Sequence, residues 1–455
     1  MTSFRRSLAS VLFFLFLVLG FTSSANALPA FARKYGLRCS ACHEAWPMLN
    51  YFGQKFKDNG YQLMNDRDSP IWQNPSYWPA TFRITPNWHR ESTDKVLVDT
   101  AAGPGTGQIQ VTSHGFDLTG LDFHTGGTLE KNLSFYVLPS SDATASFHFE
   151  TVMARLDNLF GSSWLNVKLG KFELDNLVSE KRILTLTSIS GVYQTYHFRP
   201  QGDGNIFGQL GDNQLGVEWM GHSYNDRTRV SAALLSSTDG NVGLQYGNAY
   251  SGFFAASQAF DVGKFGVDRI GAYAMVGEAP TTYQTQNGAI IPGAAIGNKS
   301  FSREGFVGLF YFGKLDFLTV TQHGRDSEWF GAGYGDFLGG AAPNNNTPGT
   351  TLPAGARAPT WNGYLLETHF VYSPQLIFIQ RSEWERVSQQ ADPATPSNFG
   401  NLNMYTFGYR YYPIMTSRAG FAWHNEYSWI RQRGTAPDGS DLTSSSILLG
   451  FDFDF

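Results

Sequence analysis

"SSSILLGFDFDF" (residues 444–455) places an apolar side chain at every second position from Ile447 onward. Successive side chains of an extended strand point to opposite faces of a sheet, so these apolar residues share one face. That face carries Ile447, Leu449, Phe451, Phe453 and Phe455. A strand whose apolar face ends in aromatic residues is typical of membrane β-barrels, in which alternate side chains face lipid. The segment therefore predicts a lipid-facing closing strand.

The same alternation recurs in residues 364–372, 405–411 and 421–429. In the first of these, aromatic and apolar residues occupy one face, while Glu367 and His369 lie on the other. A soluble β-sandwich also alternates, but it buries its apolar face against a second sheet. Aromatic residues at both ends of many apolar strands favour the girdles of a membrane barrel.

Sixteen candidate strands follow residue 80, and bacterial single-chain barrels have an even number. The predicted spans are 80–90, 115–126, 133–140, 145–156, 164–172, 213–222, 228–236, 250–260, 265–278, 304–313, 315–326, 361–373, 376–387, 401–413, 418–432 and 442–455. We therefore expect an all-β transmembrane barrel of about 16 antiparallel strands over residues 80–455.

Tight connections alternate with long ones along this region. The tight ones include 313–314 and 373–375; the long ones are 91–114, 173–212, 279–303 and 327–360. Short periplasmic turns and longer outer loops are typical of outer-membrane barrels, so both ends of the barrel sequence should lie on the periplasmic side. Residues 173–212 form either an inward constriction or an external Ω-like loop.

Residues 1–27 predict a cleaved signal peptide. Arg5 and Arg6 precede the apolar run "VLFFLFLVLG", and Ala25 and Ala27 supply the small residues of a cleavage site. The run is shorter than the roughly 20 residues of a spanning helix, although a short anchor helix is the alternative. With a formal net charge of -5 and no basic stripe, the composition argues against a nucleic-acid partner.

The chain has two cysteines, Cys39 and Cys42, followed directly by His43. A Cys-x-x-Cys pair in an exported protein forms a disulfide, a thioredoxin-like redox pair or, with His immediately after it, a c-type haem site. The flanking sequence has no βαβ pattern, which argues against thioredoxin. We predict one covalent haem c, with Cys39 and Cys42 as thioether donors and His43 as the proximal iron ligand.

Residues 28–79 predict a small α-helical c-type cytochrome domain. Its main helix should run from Pro47 to Asn59-Gly60, with an apolar stripe of Leu49, Phe52 and Phe56. About fifty residues bury too little surface for a large core, so the haem or the barrel wall should supply packing surface.

The distal haem ligand has several candidates. Met64 lies far enough beyond His43 for the chain to return, whereas Met48 follows His43 too closely to reach the opposite haem face. Met64 is therefore the sequence prediction, with a core thioether as its ordinary role. The alternatives are an open site or a lumen-facing histidine of the barrel, namely His148, His369 or His424.

"LPAFARKYGLRCSACHEAWPMLNYFGQKFKDNGYQL" (28–63) followed by a barrel resembles the fused monohaem cytochrome-porins, which include outer-membrane iron oxidases. The residues that carry the resemblance are Pro29, Phe31, Ala32, Arg33, Gly36, Cys39, Cys42 and His43. Lys34 and Tyr35 depart from the pattern, where iron-oxidase members are expected to have Gln-Thr. The resemblance covers residues 28–64; the barrel is similar in size and pattern alone.

The combination implies electron transfer across the outer membrane through a haem in the barrel lumen or on its periplasmic side. The resemblance implies an extracellular donor, with Fe(II) the leading candidate, and a periplasmic cytochrome or other acceptor. With Fe(II) as donor, the chain would be an Fe(II)-oxidising oxidoreductase. The alternatives are a solute porin with the haem domain as plug or gate, and an outward conduit to an extracellular acceptor.

Charged residues predicted to face the lumen would serve each of these functions, because a hydrated lumen is polar. Among them, Glu367 with His369 and His424 with Glu426 come nearest to metal-ligand pairs, although such pairs arise easily by chance. The other charges assigned to the lumen are Glu150, Arg381 and Glu383.

Overall fold

The fold comes from a computed structural model that describes only part of the chain. The predicted signal peptide, Met64 and Phe455 lie outside the described residues. Those residues are 30–35, 37–45, 48–63, 80–141, 146–174, 213–237, 249–280, 282–284, 290–292, 298–326, 360–387, 401–415, 419–434, 436 and 438–454.

Sixteen antiparallel strands form one closed barrel, as the alternation predicted. Each strand pairs with its neighbours in the barrel order, and the last strand pairs with the first. The strands are β1 Ala80–Thr100, β2 Gly103–Glu130, β3 Leu133–Ser141, β4 Phe147–Leu156, β5 Asn166–Phe172, β6 Gln214–His222, β7 Thr228–Ser236, β8 Tyr250–Asp261, β9 Val267–Pro280, β10 Asn298–Phe312, β11 Leu315–Arg325, β12 Thr360–Ser373, β13 Leu376–Val387, β14 Leu402–Met415, β15 Gly420–Gln432 and β16 Leu442–Asp454.

The prediction of a long loop at 91–114 is wrong. β1 and β2 continue through this stretch as a paired ribbon, with Thr93 opposite Val111 and Thr100 opposite Gly103. The ribbon is rich in β-branched residues, which favour strands, but it lacks the apolar face by which the other strands were found. β16 pairs with β1 only as far as Thr93.

The connection 279–303 is also shorter than predicted. β9 runs to Pro280 and β10 begins at Asn298, and between them Thr282–Gln284 pairs with Ile290–Pro292. The tight turns at 313–314 and 374–375 occur as expected, at the barrel end where β1 begins and β16 ends.

The outer surface of the barrel is apolar, because the predicted aromatic faces point outward. Phe306 is 69% exposed, and Phe407 and Phe451 are exposed on β14 and β16. Aromatic rings also contact one another across strands at two heights, as in the pairs Tyr405–Trp429 and Tyr411–Trp423. Six residues along β14 separate Tyr405 from Tyr411, about 20 Å of strand.

The inner surface changes in character around the barrel, and the expectation of a polar lumen is correct only for part of it. From β12 to β16 it carries buried charges: Glu367, His369, Arg381, Glu383, Arg410, His424, Glu426 and Asp452. From β7 to β11 ten buried residues, here called the apolar wall, belong to the largest hydrophobic cluster of the described residues: Ala233, Leu235, Phe253, Tyr273, Met275, Phe301, Val307, Leu309, Leu318 and Val320. Buried Arg229, Arg269, Arg303 and Asp316 lie on the same strands.

The N-terminal segment is helical, with α1 Ala30–Tyr35, α2 Cys39–Cys42 and α3 Tyr51–Asp58. A short ribbon pairs His43–Ala45 with Met48–Leu49. None of the helices in the described ranges is long and apolar enough to cross a membrane.

The main helix begins later than the predicted start at Pro47. Asn50 is its N-cap, and the Asn50 side chain accepts a hydrogen bond from the Gly53 amide at 2.9 Å. Such caps satisfy amides that have no partner inside the helix. The helix ends where predicted, since Gly60 has a positive φ of 71°.

Replacing Gly170 with Ala should destabilise the barrel. Gly170 on β5 has a φ of 120°, and a Cβ there would overlap the Val152 carbonyl of β4. A non-glycine residue in this conformation costs about 1–3 kcal/mol. Denaturant unfolding in detergent, followed by the heat-modifiable gel band, should show a lower midpoint. Gly115→Ala is the control, because space around Gly115 is open; equal midpoints for both variants would contradict the expectation.

Candidate functional site

The predicted haem motif occupies one helical turn. Cys39 and Cys42 begin and end α2, and His43 follows directly. Positions i and i+3 of a helix lie on the same face, so two thiols and an imidazole in this arrangement fit the chemistry of one haem c. Haem attachment itself stays a prediction.

The Cys42 side chain is half-buried. Burial raises the pKa of the Cys42 thiol to about 11, because a desolvated thiolate is disfavoured. A thiol with this pKa is protonated at neutral pH. His43 is likewise half-buried.

The motif is held tightly against α3. The Asn50 amide donates to the Cys42 carbonyl at 2.9 Å, and the Asn50 side chain donates to the Ala41 carbonyl at 3.0 Å. Gly53 lies so close that a Cβ would overlap the Cys42 carbonyl oxygen. Only glycine permits this approach, so the position of α2 follows that of α3.

Buried arginines of the barrel bind the last turn of α3. Arg229 on β7 ion-pairs with Asp58 of the helix and with Asp226, at 2.7 Å from the latter. Arg155 on β4 donates to the main-chain carbonyls of Lys57, at 2.7 Å, and of Asp58. Charge-assisted hydrogen bonds are stronger than neutral ones, so these contacts fix the end of α3 on two strands.

Further polar contacts join the same segment to the barrel. The Tyr51 hydroxyl donates to the Asn225 carbonyl at 2.9 Å, in the turn between β6 and β7. Lys57 ion-pairs with Glu173 at 3.2 Å, and Asn158 donates to the Asn59 side chain at 3.3 Å. Both ends of α3 are therefore bound.

Aromatic packing covers the other side of α3. Phe31 of α1 stacks on Tyr61 with ring centroids 4.7 Å apart, and Phe56 contacts both rings. Tyr61 also contacts Tyr136 of β3. Phe56 and Tyr61 belong to the same hydrophobic cluster as the apolar wall, so the barrel supplies the core that this short segment lacks.

The charged pairs predicted in the lumen form as pairs but do not come together as one metal site. His369 Nε2 lies 2.7 Å from Glu367, and His424 is bonded to Glu426, with Asp452 3.5 Å from its Nδ1. In the described ranges no group of three His, Cys, Asp or Glu side chains could hold a metal ion.

The other residues predicted to face the lumen or bind the haem lie in different environments. Arg381 pairs with Glu383 on its own strand. Glu150 is half-buried and accepts a hydrogen bond from Asn213, whereas His148 is exposed. Met64 falls outside the described residues, so its assignment as distal ligand stays a prediction.

Sequence reasoning missed the arginines that bind α3. Arg155 and Arg229 occupy ordinary inward positions of their strands, and their partners in α3 lie far away along the chain, as in the Arg155–Asp58 contact across 97 positions. Their one local signal is a charge at an inward strand position, which many lumen residues share.

Several solved structures are similar to this chain at low sequence identity. They include the anion-selective porin from Comamonas acidovorans (10% identity, TM-score 0.48, covering 83% of this chain and 98% of that chain) and DcaP of Acinetobacter baumannii (10%, 0.46, 85% and 100%). Pseudomonas putida OprB at high pH is similar as well (10%, 0.45, 83% and 94%). No family model and no curated protein matches the chain.

Removing both arginines that bind α3 should weaken the attachment of the N-terminal segment to the barrel. Breaking one partner of a buried ion pair costs about 3–5 kcal/mol, so Arg155→Ala/Arg229→Ala should speed trypsin cleavage after Lys55 and Lys57 in the detergent-solubilised barrel. Arg227→Ala is the matched control, because its ion pair with Asp261 is exposed. Equal cleavage rates in the double variant, the control and the wild type would show that these arginines do not hold the segment.

Proposed function

We propose that this chain is an outer-membrane β-barrel that transfers electrons across the membrane through one covalent haem c in its lumen. The observation that carries the proposal is the attachment of the Cys39–His43 segment, through α3, to inward-facing residues of the barrel. A single haem can serve a membrane whose apolar band is about 25 Å tall only if it sits inside or at the mouth of the barrel.

An outer-membrane location is supported by the distribution of polarity. The barrel exposes aromatic and aliphatic residues such as Phe306 and Leu234 on its outside and buries charges such as Arg410 and Glu426 inside. This inversion suits a barrel surrounded by lipid. The short turns would face the periplasm, as would the bound α3, which contacts the turn at Asn225.

Cys39 and Cys42 would hold the haem by thioethers, and His43 would be its proximal ligand. When bound, the haem supplies a one-electron redox centre. The chain itself positions this centre: α3 is clamped at both ends, and its aromatic side packs on the apolar wall. Charged lumen residues such as Glu367 and Arg381 are 0% exposed, so these side chains are removed from solvent.

The donor and acceptor are part of the proposal. The resemblance to fused cytochrome-porins favours Fe(II) outside the cell as donor and a periplasmic cytochrome as acceptor. The same arrangement would also carry electrons outward to an extracellular acceptor, because a haem accepts and donates electrons equally and the partners' potentials set the direction.

A solute porin, with the N-terminal segment as plug or gate, is the second candidate function. The porin-like barrel agrees with it more directly than with electron transfer, since sixteen strands with charged inner residues need no haem. The solvent exclusion of those inner residues favours a plugged barrel over a wide open channel.

Cys39→Ala/Cys42→Ala should abolish covalent haem but preserve the barrel, because neither residue lies in a barrel strand. Haem staining of denaturing gels measures attachment, and heat-modifiable migration measures barrel folding. Staining that survives in the double variant would contradict thioether attachment, and the parallel Ser40→Ala variant should stain like the wild type.

Fe(II) mixed with the oxidised, detergent-solubilised protein should reduce the haem rapidly in stopped flow, while planar bilayers containing the protein should show low conductance. This pair of results follows from the proposal, in which the N-terminal segment occupies the lumen and holds the redox centre there. Large conductance together with an inert haem would instead establish the solute porin.

A further inference from the structure

His222 is a buried histidine that sequence reasoning passed over. It is the last residue of β6, and the alternation of that strand directs it inward: Glu218 and Met220 are buried, whereas Trp219 is 37% exposed. His222 itself is 8% exposed. No sequence motif surrounds His222, so the sequence alone gave no reason to single it out. Its relation to α3 appears only in the folded barrel.

One ring nitrogen of His222 is hydrogen-bonded and the other is not, as far as the described residues extend. Nδ1 lies 3.2 Å from the Ser223 carbonyl oxygen, and Nε2 is buried with no hydrogen-bond partner among the described residues. A carbonyl oxygen can only accept, so Nδ1 donates and the neutral ring keeps its lone pair on Nε2. Histidines that bind metals usually have this arrangement, with the second nitrogen bound to a carbonyl or carboxylate.

Two hydrogen bonds link the haem motif, through the start of α3, to the turn that follows His222. The Cys42 carbonyl accepts from the Asn50 amide at 2.9 Å, and the next residue, Tyr51, donates to the Asn225 carbonyl at 2.9 Å. Asn225 is three residues after His222 in the same short turn.

The other end of α3 reaches the same hairpin. Arg229 is the Cα partner of His222 across β6 and β7, and it ion-pairs with Asp58 at the end of the helix. α3 therefore contacts the hairpin on both sides of His222 in the sequence, at Asn225 and at Arg229.

The lumen histidines suggested by the sequence are less suited to this role. His369 and His424 have Nε2 bonded to Glu367 and Glu426. They lie on β12 and β15, far around the barrel from β4 and β7, which bind α3. His148 is exposed.

We propose that His222 Nε2 is the distal axial ligand of the haem carried by Cys39, Cys42 and His43. The barrel wall, rather than Met64 of the N-terminal segment, then completes the iron coordination and ties the redox centre to β6. This inference rests on the proposed function, because it requires that the haem is attached.

Spectroscopy of the purified holoprotein tests the proposal. The ferric wild type should show the low-spin spectrum of two imidazole ligands, without the near-infrared sulfur-to-iron band, and the ferrous form should not bind carbon monoxide. His222→Ala should become high-spin and bind carbon monoxide, and added imidazole should restore the low-spin spectrum. His222→Met should create the sulfur-to-iron band, while His148→Ala and Met64→Ala should match the wild type.

The outcomes separate this inference from the proposed function. A sulfur-to-iron band in the wild type that only Met64→Ala removes would overturn His222 as ligand, as would a wild-type spectrum in His222→Ala that still stains for haem. Absence of covalent haem from the wild type would overturn the proposed function, and the ligand assignment with it. Rescue by imidazole shows that the His222→Ala site is intact, so a folding defect would not imitate the expected result.

Discussion

The pairing of β16 with β1 is the contact on which the rest of the structure depends. Inside a bilayer each unsatisfied backbone amide or carbonyl costs several kcal/mol, so a sheet can span lipid only when it has no free edge. Pairs from Ser444 opposite Thr93 to Asp454 opposite Arg83 close the sheet. Closure also sets the register, and a shift of one residue would turn Asp452 to lipid and Phe451 to the lumen. The placement of apolar residues outside and charged residues inside therefore depends on the pairing of β16 with β1.

The N-terminal segment meets the barrel through an apolar side and a charged end. Phe56 of α3 belongs to the same hydrophobic cluster as the apolar wall, and the last turn of α3 binds Arg155 of β4 and Arg229 of β7. A segment of this size cannot form a stable core alone, and an apolar wall facing a water-filled lumen would be equally unfavourable. The N-terminal segment and the apolar wall therefore remove each other's apolar surface from water. Burial of apolar surface is the dominant favourable contribution to association.

Buried charges determine where in the lumen α3 binds, in addition to stabilising its binding. Arg229 has carboxylate partners both on the barrel and on α3, at Asp226 and Asp58. An arginine buried with only some of its partners is costly, so a helix placed elsewhere in the lumen would leave charge uncompensated. Because Gly53 brings α3 into contact with the Cys42 carbonyl, the ion pairs of Asp58 also position the segment with the predicted haem motif.

Local patterns in the sequence were sufficient for the barrel, its sixteen strands and the outward faces, since alternation along a strand is a property of consecutive residues. They also predict a haem motif at Cys39, Cys42 and His43. The sequence did not reveal the β1–β2 ribbon, because that hairpin lacks the apolar face of the other strands. It also did not reveal the apolar wall or the position of His222 beside the bound α3, which depend on pairs distant in the chain, such as Tyr51 and Asn225, 174 positions apart. Only barrel closure brings such residues together, because contacts across the lumen leave no periodic trace in the sequence.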